Sequence, residues 1–523
     1  MHNSLSTVLA MWNQLRPLIR EGYAVLDKTL VMGMPATSMP AESKNKDSGI
    51  GSPYGKGAER VWLFWQDIVQ KIMIGPIGKT DPSNWHSPYL ALWEHNPFFI
   101  DLAQLVEQKK LSAKTLEKIY QQKKTDTYID FKQVEANYTL ALQEALKKTK
   151  SPLPFDDFCS QLVQEQMAKS PFDYIGDIPI HIPRQISETH PDWFLKDWTM
   201  GAPPDQYANT PQLWGFPILK PTALFDDTKK NKLGPAAQLL KKLLRFYLSG
   251  IKGGARIDHF IGWIDPYCFY QGNKDYPNGR LHSSDHIPDL KKYVLHSDSD
   301  FLKMTQAFLV PLFREFHLNE MDIYPEDLGI RPPQMDYVLQ TLNWGRMLPV
   351  QFNEPDNWEH LYHIQHATPK DIVVLSTHDN PPLISFFKEL CGEKRSLFAH
   401  QLAQDLRFQY TDDLNAPEWL TRMQWAAALA SPARRITAFF TTITGQEGRY
   451  NVPGTLDSWH LRCQAEFEKG YFKALKKRQA YNPLEAICWA IYARGDEFYH
   501  AHEDLVHKLL EAEKQLFDAL QTL

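Results

Sequence analysis

Three short stretches of the chain combine carboxylates with a basic or polar neighbour in a pattern suited to acid–base or nucleophilic chemistry. The first reads Gly253-Gly254-Ala255-Arg256-Ile257-Asp258-His259-Phe260. Arg256 and Asp258 alternate with apolar residues, so on a strand both point to the same face. An arginine two residues from an aspartate favours the ionised carboxylate by charge and hydrogen bonding. An ionised carboxylate is what a nucleophile requires. A purely structural ion pair would look the same in isolation. The second stretch reads Asp322-Ile323-Tyr324-Pro325-Glu326-Asp327-Leu328-Gly329. Glu326 follows an apolar run, and a partly apolar wall would favour the protonated form that a general acid needs. An acidic turn that starts a helix is the bland alternative. The third reads Leu375-Ser376-Thr377-His378-Asp379-Asn380-Pro381. A His378-Asp379 pair at a strand end can grip two adjacent hydroxyls of one sugar. It could also be half of a hydrolase triad, but no Gly-x-Ser-x-Gly elbow supplies the serine. A metal held by His259, His378 and the carboxylates is a further reading. The absence of a His-Glu-x-x-His spacing weakens it.

These stretches need a scaffold that brings distant segments together. Eight short apolar, β-prone runs recur along the chain, near 30–35, 72–77, 175–182, 255–260, 321–324, 348–352, 372–375 and 436–443. Helix-like segments precede several of them, at 236–251, 301–316, 333–342 and 357–365. Continuous apolar runs alternating with helices indicate a parallel sheet covered by helices. Eight of them indicate an α/β fold of the (β/α)8 TIM-barrel type with mainly helical insertions. About 250 residues suffice for a bare barrel, so the surplus is expected as insertions near 102–168, 267–299 and 382–430 and a helical C-terminal tail from about 467. The expected organisation is one catalytic barrel over the whole chain. Asp258, Glu326 and Asp379 follow the fourth, fifth and seventh runs, the ends where barrel enzymes place their chemistry. Three carboxylates at three strand ends can converge on one substrate ring.

Composition narrows the substrate. Of 523 residues, 57 are basic and 62 acidic, giving a net charge of −5, which disfavours a nucleic-acid partner. A neutral substrate fits better. The 15 tryptophans, 22 tyrosines and 28 phenylalanines mostly serve packing, but flat aromatic faces also suit the C–H surface of a sugar. Five cysteines, Cys159, Cys268, Cys391, Cys463 and Cys488, form no Cys-x-x-Cys pair, so neither a disulfide framework nor a structural zinc site is expected. The first thirty residues lack a secretory signal pattern, and no run of eighteen apolar residues is present. A cytoplasmic location and no membrane association are expected.

With these motifs assembled, the chain resembles the 4-α-glucanotransferases (amylomaltases, or disproportionating enzymes), relatives of the α-amylases. Arg256-Ile257-Asp258-His259-Phe260 matches the family's nucleophile motif, Glu326-Asp327-Leu328-Gly329 its acid/base motif, and Thr377-His378-Asp379-Asn380 its transition-state-stabilising aspartate. Ser87-Pro88-Tyr89, followed by Asn96-Pro97, resembles the second-strand region, which implies that Tyr89 packs on the sugar being cleaved. Gly176-Asp177-Ile178-Pro179-Ile180 resembles the third strand. Gly201-Ala202-Pro203-Pro204-Asp205 and Gln212-Leu213-Trp214-Gly215 resemble the substrate-binding segment, implying Asp205 and Trp214 as sugar contacts. Gly448-Arg449-Tyr450-Asn451-Val452-Pro453-Gly454-Thr455 resembles the eighth-strand loop, implying Asn451 as a ligand. Arg256, His259 and His378 complete the expected substrate-binding set. Departures occur at Ile261, Pro325, Pro381-Pro382, the turn 81–86 and the segment 223–232.

The resemblance implies a retaining double displacement on α-1,4-glucans, meaning maltooligosaccharides and glycogen- or starch-derived dextrins, with glucose or glucan acceptors and no cofactor or metal. The competing readings are an α-amylase-type hydrolase, whose chemical motifs would be identical, and a non-catalytic carbohydrate-binding protein on the same fold.

Overall fold

Runs of apolar residues only three to five long, buried at nearly every position, cannot be amphipathic strands on a half-exposed sheet. They belong inside a sheet covered on both faces. In a computed structural model, which describes residues 2–204, 210–224, 233–282, 302, 305–452, 455 and 458–523, the eight runs are eight short parallel strands with helices between them. They are β1 (Thr29–Gly33), β2 (Lys71–Met73), β3 (Tyr174–Ile178), β4 (Gly254–Ile257), β5 (Ile323–Pro325), β6 (Met347–Pro349), β7 (Ile372–Val374) and β8 (Arg435–Phe439). The fold is a (β/α)8 TIM barrel.

The sequence reading fails locally at several places. The apolar run 436–443 is strand only as far as Phe439. Phe440–Thr444 is a helical turn, closed by Gly445 in the left-handed region at φ 71°. A short buried run has no periodicity to separate strand from helix, and a glycine that ends a helix in this way is the signal that distinguishes them. The segment 357–365 forms turns and a 3₁₀ turn at Ile364–His366 instead of an α-helix. Its histidines compete for the backbone: the Tyr362 N–H donates to His360 Nδ1 at 3.4 Å and the Gln365 N–H to His363 Nδ1 at 3.4 Å. Exposed Trp358 and Leu361 also deprive it of a continuous buried face. By contrast, the segment 333–342 is the helix Pro333–Leu342, with Pro at its first position.

The chain divides into two compact units. The first comprises residues 1–74, 95–172 and 348–523. Within it β1 pairs in parallel with β2 and with β8, and β7 pairs with β8. Residues 102–169 supply helices Leu102–Glu107, Ala113–Tyr120, Phe131–Thr149 and Phe155–Lys169, the first three started by side chains of Asp101, Ser112 and Asp130 that accept backbone N–H bonds. Further helices cover 383–430 and 467–520. Trp12 of the N-terminal helix packs on Phe64, Trp65, Tyr471 and Phe472 at 5.4–6.3 Å between ring centroids.

The second unit comprises residues 75–94 and 173–347. Here β4 lies between β3 and β5 in parallel register, with Asp177 opposite Arg256 and Tyr324 opposite Arg256 on the other side. A four-stranded antiparallel sheet accompanies it, built from Phe194–Ala202, Gln212–Leu219, Tyr267–Tyr270 and Gly279–Arg280. The described part of the 267–299 segment, expected as a mainly helical insertion, instead carries the strands Tyr267–Tyr270 and Gly279–Arg280 joined by turns, in keeping with the β-prone sequence Tyr267-Cys268-Phe269-Tyr270. Its inner face packs Leu195, Trp198, Met200, Ile218 and Cys268 into one cluster.

Candidate active site

The register of β3, β4 and β5 decides which side chains meet in the second unit. Asp177 stands at the end of β3, Arg256 directly across from it on β4, and Glu326 one residue beyond β5. Arg256 is almost fully buried and reaches three carboxylates. Its Nη1 donates to both oxygens of Asp177 at 2.7 and 2.6 Å. Its Nη2 lies 3.1 Å from Asp258 Oδ1 and 2.9 Å from Glu326 Oε1. Because both distances run to one nitrogen, the two carboxylate oxygens lie no farther apart than the sum of 3.1 and 2.9 Å, about 6 Å.

Backbone groups fix the same two acids. The Asp258 N–H donates to Ile178 O at 3.0 Å and the Glu326 N–H to Ile257 O at 3.0 Å, so the ladder continues past the strand ends. The His259 N–H donates to Glu326 Oε2 at 2.8 Å, and the Ile180 N–H approaches Asp258 Oδ2 at 3.5 Å. Each acid keeps 15 % of its side chain exposed, against 2 % for Asp177. Asp177 is thus enclosed as an anchor, whereas Asp258 and Glu326 keep a face open to a reactant.

Arg256 does not hold Asp258 low, as its spacing alone would suggest. Burial pushes the Asp258 carboxyl well above the usual range, Arg256 pulls it down, and the like charges of Glu326 and Asp177 push it up again. One guanidinium shared among three carboxylates cannot neutralise them all. Burial works against the charge on Arg256 as well, but Asp177, Glu326, Tyr89 and Asp258 outweigh it, and the guanidinium stays charged. The cluster therefore favours retaining a proton among its acids, the condition for one carboxyl to act as an acid beside an ionised partner.

Tyr89, Trp214 and His259 complete this unit's site. The Tyr89 hydroxyl donates to Asp177 Oδ2 at 2.8 Å, and its ring centroid lies 5.7 Å from the Arg256 guanidinium carbon. His259 adopts a left-handed backbone at φ 41° and packs edge-on against Trp214 at 4.7 Å. Burial brings its imidazole down to about 4, so the ring is neutral near pH 7. Asp205 lies outside the described residues. Asp177 carries no role in the sequence reading; its signal was its position in phase with Arg256 at a strand end.

The first unit carries a different cluster at the end of β7. Thr377 N–H and Oγ1 both donate to Asn380 Oδ1, at 3.2 and 2.9 Å, and the Asp379 N–H donates to Thr377 Oγ1 at 3.2 Å. This tight turn presents Asp379 outward, with 37 % of its side chain exposed. His378 Nε2 lies 3.2 Å from Asp379 Oδ2, and Asn451 Nδ2 donates to Asp379 Oδ1. The Asn451 N–H donates to His378 O at 3.0 Å, and Arg449 Nη2 donates to Asp379 O at 2.6 Å. The sequence reading did not single out Arg449, whose contact is to a backbone carbonyl that no motif reveals. Gln351 Nε2 ties Leu375 O and Pro381 O together at 3.0 Å each, so Pro381 is accommodated within the turn. Among the described residues no group of three or more His, Cys, Asp or Glu could hold a metal ion, and no helix is long and apolar enough to cross a membrane.

Known proteins share this fold. A family model described as 4-alpha-glucanotransferase matches residues 160–466. The 4-alpha-glucanotransferase of Thermus thermophilus is 26% identical over 294 residues, which is 54% of this chain and 51% of that protein. That of Clostridium butyricum is 24% identical over 495 residues, 80% of this chain and 93% of that protein. The matched region thus spans about half the length of the first relative and nearly all of the second. Among solved structures, amylomaltase from Streptococcus agalactiae in complex with acarbose aligns with a TM-score of 0.63 at 17% identity, covering 90% of this chain and 100% of that one. Amylomaltase from Corynebacterium glutamicum aligns with a TM-score of 0.66 at 15% identity, covering 91% of this chain and 77% of that one. The structural likenesses establish the fold, and the family match extends over more than half of the chain, including both acid clusters: the chain belongs to the 4-α-glucanotransferase family.

Proposed function

We propose that the chain transfers segments of an α-1,4-glucan from a donor to the 4-hydroxyl of an acceptor glucan or glucose, by a retaining double displacement. The observation that carries the reading is the single Arg256 nitrogen touching both Asp258 and Glu326, which keeps their nearest oxygens within about 6 Å. Retaining enzymes hold their two carboxyls about 5–5.5 Å apart, whereas inverting enzymes leave about 6.5–9.5 Å for an intervening water.

In the first step the Glu326 proton passes to the glycosidic oxygen while an Asp258 oxygen attacks the anomeric carbon. The C–O bond to the leaving sugar breaks, and that sugar departs with the proton. In the second step Glu326, now a carboxylate, takes the proton of the acceptor 4-hydroxyl. The acceptor oxygen attacks the anomeric carbon and releases Asp258. Arg256 and Asp177 position both acids. Asp379, oriented by His378 and Asn451, accepts hydrogen bonds from ring hydroxyls most strongly as the ring flattens toward an oxocarbenium ion. Tyr89, Trp214, His259 and Asp205 contact the sugars. The chemistry requires no cofactor, and the balanced charge supports neutral glucans over nucleic acid as partners. The free cysteines support a cytoplasmic location, testable by fractionation.

Transfer breaks one glycosidic bond and makes another, so reducing ends stay constant; hydrolysis adds one per event. An acceptor sugar competes with water at about 55 M by being bound in a pre-oriented pose, since oriented groups reach effective molarities of roughly 10⁵ M or more. Maltotriose is expected to yield glucose and a ladder of longer maltooligosaccharides at a nearly constant reducing-sugar count. Reducing ends that rise in step with donor loss, with no product longer than the donor, would replace transfer by hydrolysis.

A further inference from the structure

A left-handed backbone is uncommon away from glycine, and for a bulky aromatic residue it persists only where the surroundings enforce it. Among the described residues two tryptophans adopt it. Trp85, at φ 51°, ends the 3₁₀ turn Pro82–Asn84, an ordinary place for that conformation. Trp459, at φ 71°, lies in a bend outside any helix or strand, and what surrounds it are the orienting partners of Asp379. The Trp459 N–H donates to Tyr450 O at 2.6 Å, and the Val452 N–H donates to Ser458 Oγ at 3.0 Å. These two bonds clamp the backbone on either side of Asn451, whose amide donates to Asp379. The Trp459 ring meets Tyr450 edge-on at 5.5 Å and faces the His378 imidazole at 6.2 Å between centroids, tilted by 38°. Tyr450 is buried, with its hydroxyl 3.1 Å from Thr37 Oγ1 and its ring 5.9 Å from Phe439 at the end of β8. The indole is thus wedged between a ring fixed on the barrel and the imidazole beside Asp379. A negative φ would swing its Cβ, and the indole with it, to another side of the backbone.

We infer that Trp459 is a positioning residue for Asp379: its indole sets the imidazole of His378 and its backbone sets Asn451, so that the carboxylate meets the substrate in one orientation. Both partners act on different oxygens of Asp379, His378 Nε2 at 3.2 Å from Oδ2 and Asn451 Nδ2 on Oδ1, and one strained residue governs both. The role of Trp459 rests on the proposed transition-state role of Asp379. An indole that stacked on the sugar would act on KM, whereas one that orients a transition-state contact acts on kcat.

Glycine separates ring from backbone, because it fits φ 71° without strain and removes the indole. Trp459→Gly should lower kcat for maltotriose transfer about thirtyfold with KM within about twofold, and should harm transfer from α-glucosyl fluoride equally. Trp459→Phe, which keeps a ring, should recover to within about threefold of the unaltered chain. Trp459→Leu keeps apolar bulk without a ring and should lose as much as the glycine variant; it carries the test if melting shows the glycine chain unfolded. A double-mutant cycle then separates orientation from general damage. Added to Asp379→Asn, Trp459→Gly should cost less than about twofold more, because both changes strike one interaction. Losses that multiply, a change confined to KM, or a Trp459→Gly chain within about threefold of the unaltered rate while Asp379→Asn is crippled, overturn the role of Trp459 and leave that of Asp379 standing. Asp379→Asn at the unaltered rate overturns the reading of Asp379, and the role of Trp459 with it.

Discussion

The two acid clusters solve different problems. In the second unit Asp258 and Glu326 are mostly buried, share one guanidinium, and lean on the enclosed carboxylate of Asp177. In the first unit Asp379 is 37 % exposed and is held by an amide, an imidazole and a turn, with no cationic side chain on its carboxylate oxygens among the described contacts. Burial and like charges make protonation in the first set depend on neighbours, which suits groups that exchange a proton and form a bond. A water-facing carboxylate pays little for its charge and stays a strong acceptor, which suits gripping hydroxyls. A cluster suited to changing state is locked into a charge network, and one suited to binding is left in solvent contact, oriented by an amide, an imidazole and a turn.

The largest expected effect strikes the charge network. Asp258→Asn should fold normally yet lose at least about four decades of transfer rate, or about 5.4 kcal/mol of barrier. A variant retaining a tenth of the rate would remove the nucleophile from the second unit.

Next comes a contrast between the clusters themselves. Glu326→Gln should cripple transfer from maltotriose but do far less harm on an α-glucosyl fluoride, whose leaving group needs little protonation. Asp379→Asn should harm both donors alike, by about two decades or more, because gripping ring hydroxyls does not depend on the leaving group. Equal donor dependence in the two variants would erase the division of labour.

Asp177 sharpens the comparison at smaller amplitude, about tenfold to a hundredfold in kcat for Asp177→Asn. Its charge is one of the groups that push Asp258 up. Removing it should move the acid limb of the kcat/KM profile to lower pH. A loss of rate with an unmoved limb would leave Asp177 a merely structural residue.

How far the sequence announced all this follows the same division. The Arg256–Asp258 alternation and the strand-end position of Glu326 were legible because they depend on strand phase, which the chain encodes locally. So was the barrel, whose strands are buried apolar runs. The sharing of Arg256 was not legible: it depends on which strands lie side by side, and Asp177 and Glu326 are 79 and 70 residues from Arg256 in opposite directions along the chain. Hence the expectation that Arg256 would hold Asp258 low had the right partner and the wrong stoichiometry. The helix expected at 357–365 failed for a related reason. Its apolar spacing was read without the histidines, whose rings take up the backbone N–H groups a helix would use.

The smallest effect concerns stability in acid, where the units should again differ. Burial holds five histidines neutral: His95 and His363 of the first unit and His181 and His259 of the second are pushed down to about 4, and His282 of the second to about 3. A histidine whose folded value lies below its unfolded one, near 6.5, binds its proton more readily when unfolded. Its stability contribution is present above about pH 6.5 and is lost as the pH falls toward 4. Buried carboxyls raised on folding act in the opposite sense, because they stabilise at low pH and lose that contribution as the pH rises. Asp405, pushed up to about 7, and Asp101 do so in the first unit, and Asp258 and Asp327 in the second. The second unit holds three of these histidines and the first two, so the histidine contribution lost in acid is larger in the second, by at most about 1.4 kcal/mol per pH unit for the additional ring. Amide hydrogen exchange compared at pH 6.5 and 4.5, corrected for intrinsic rates, should show protection in β3, β4 and β5 falling more than in β1, β7 and β8. Equal losses, or a larger loss in the first unit, would mean that the buried histidines do not set the acid limit, and His282→Gln would then fail to restore protection in the second.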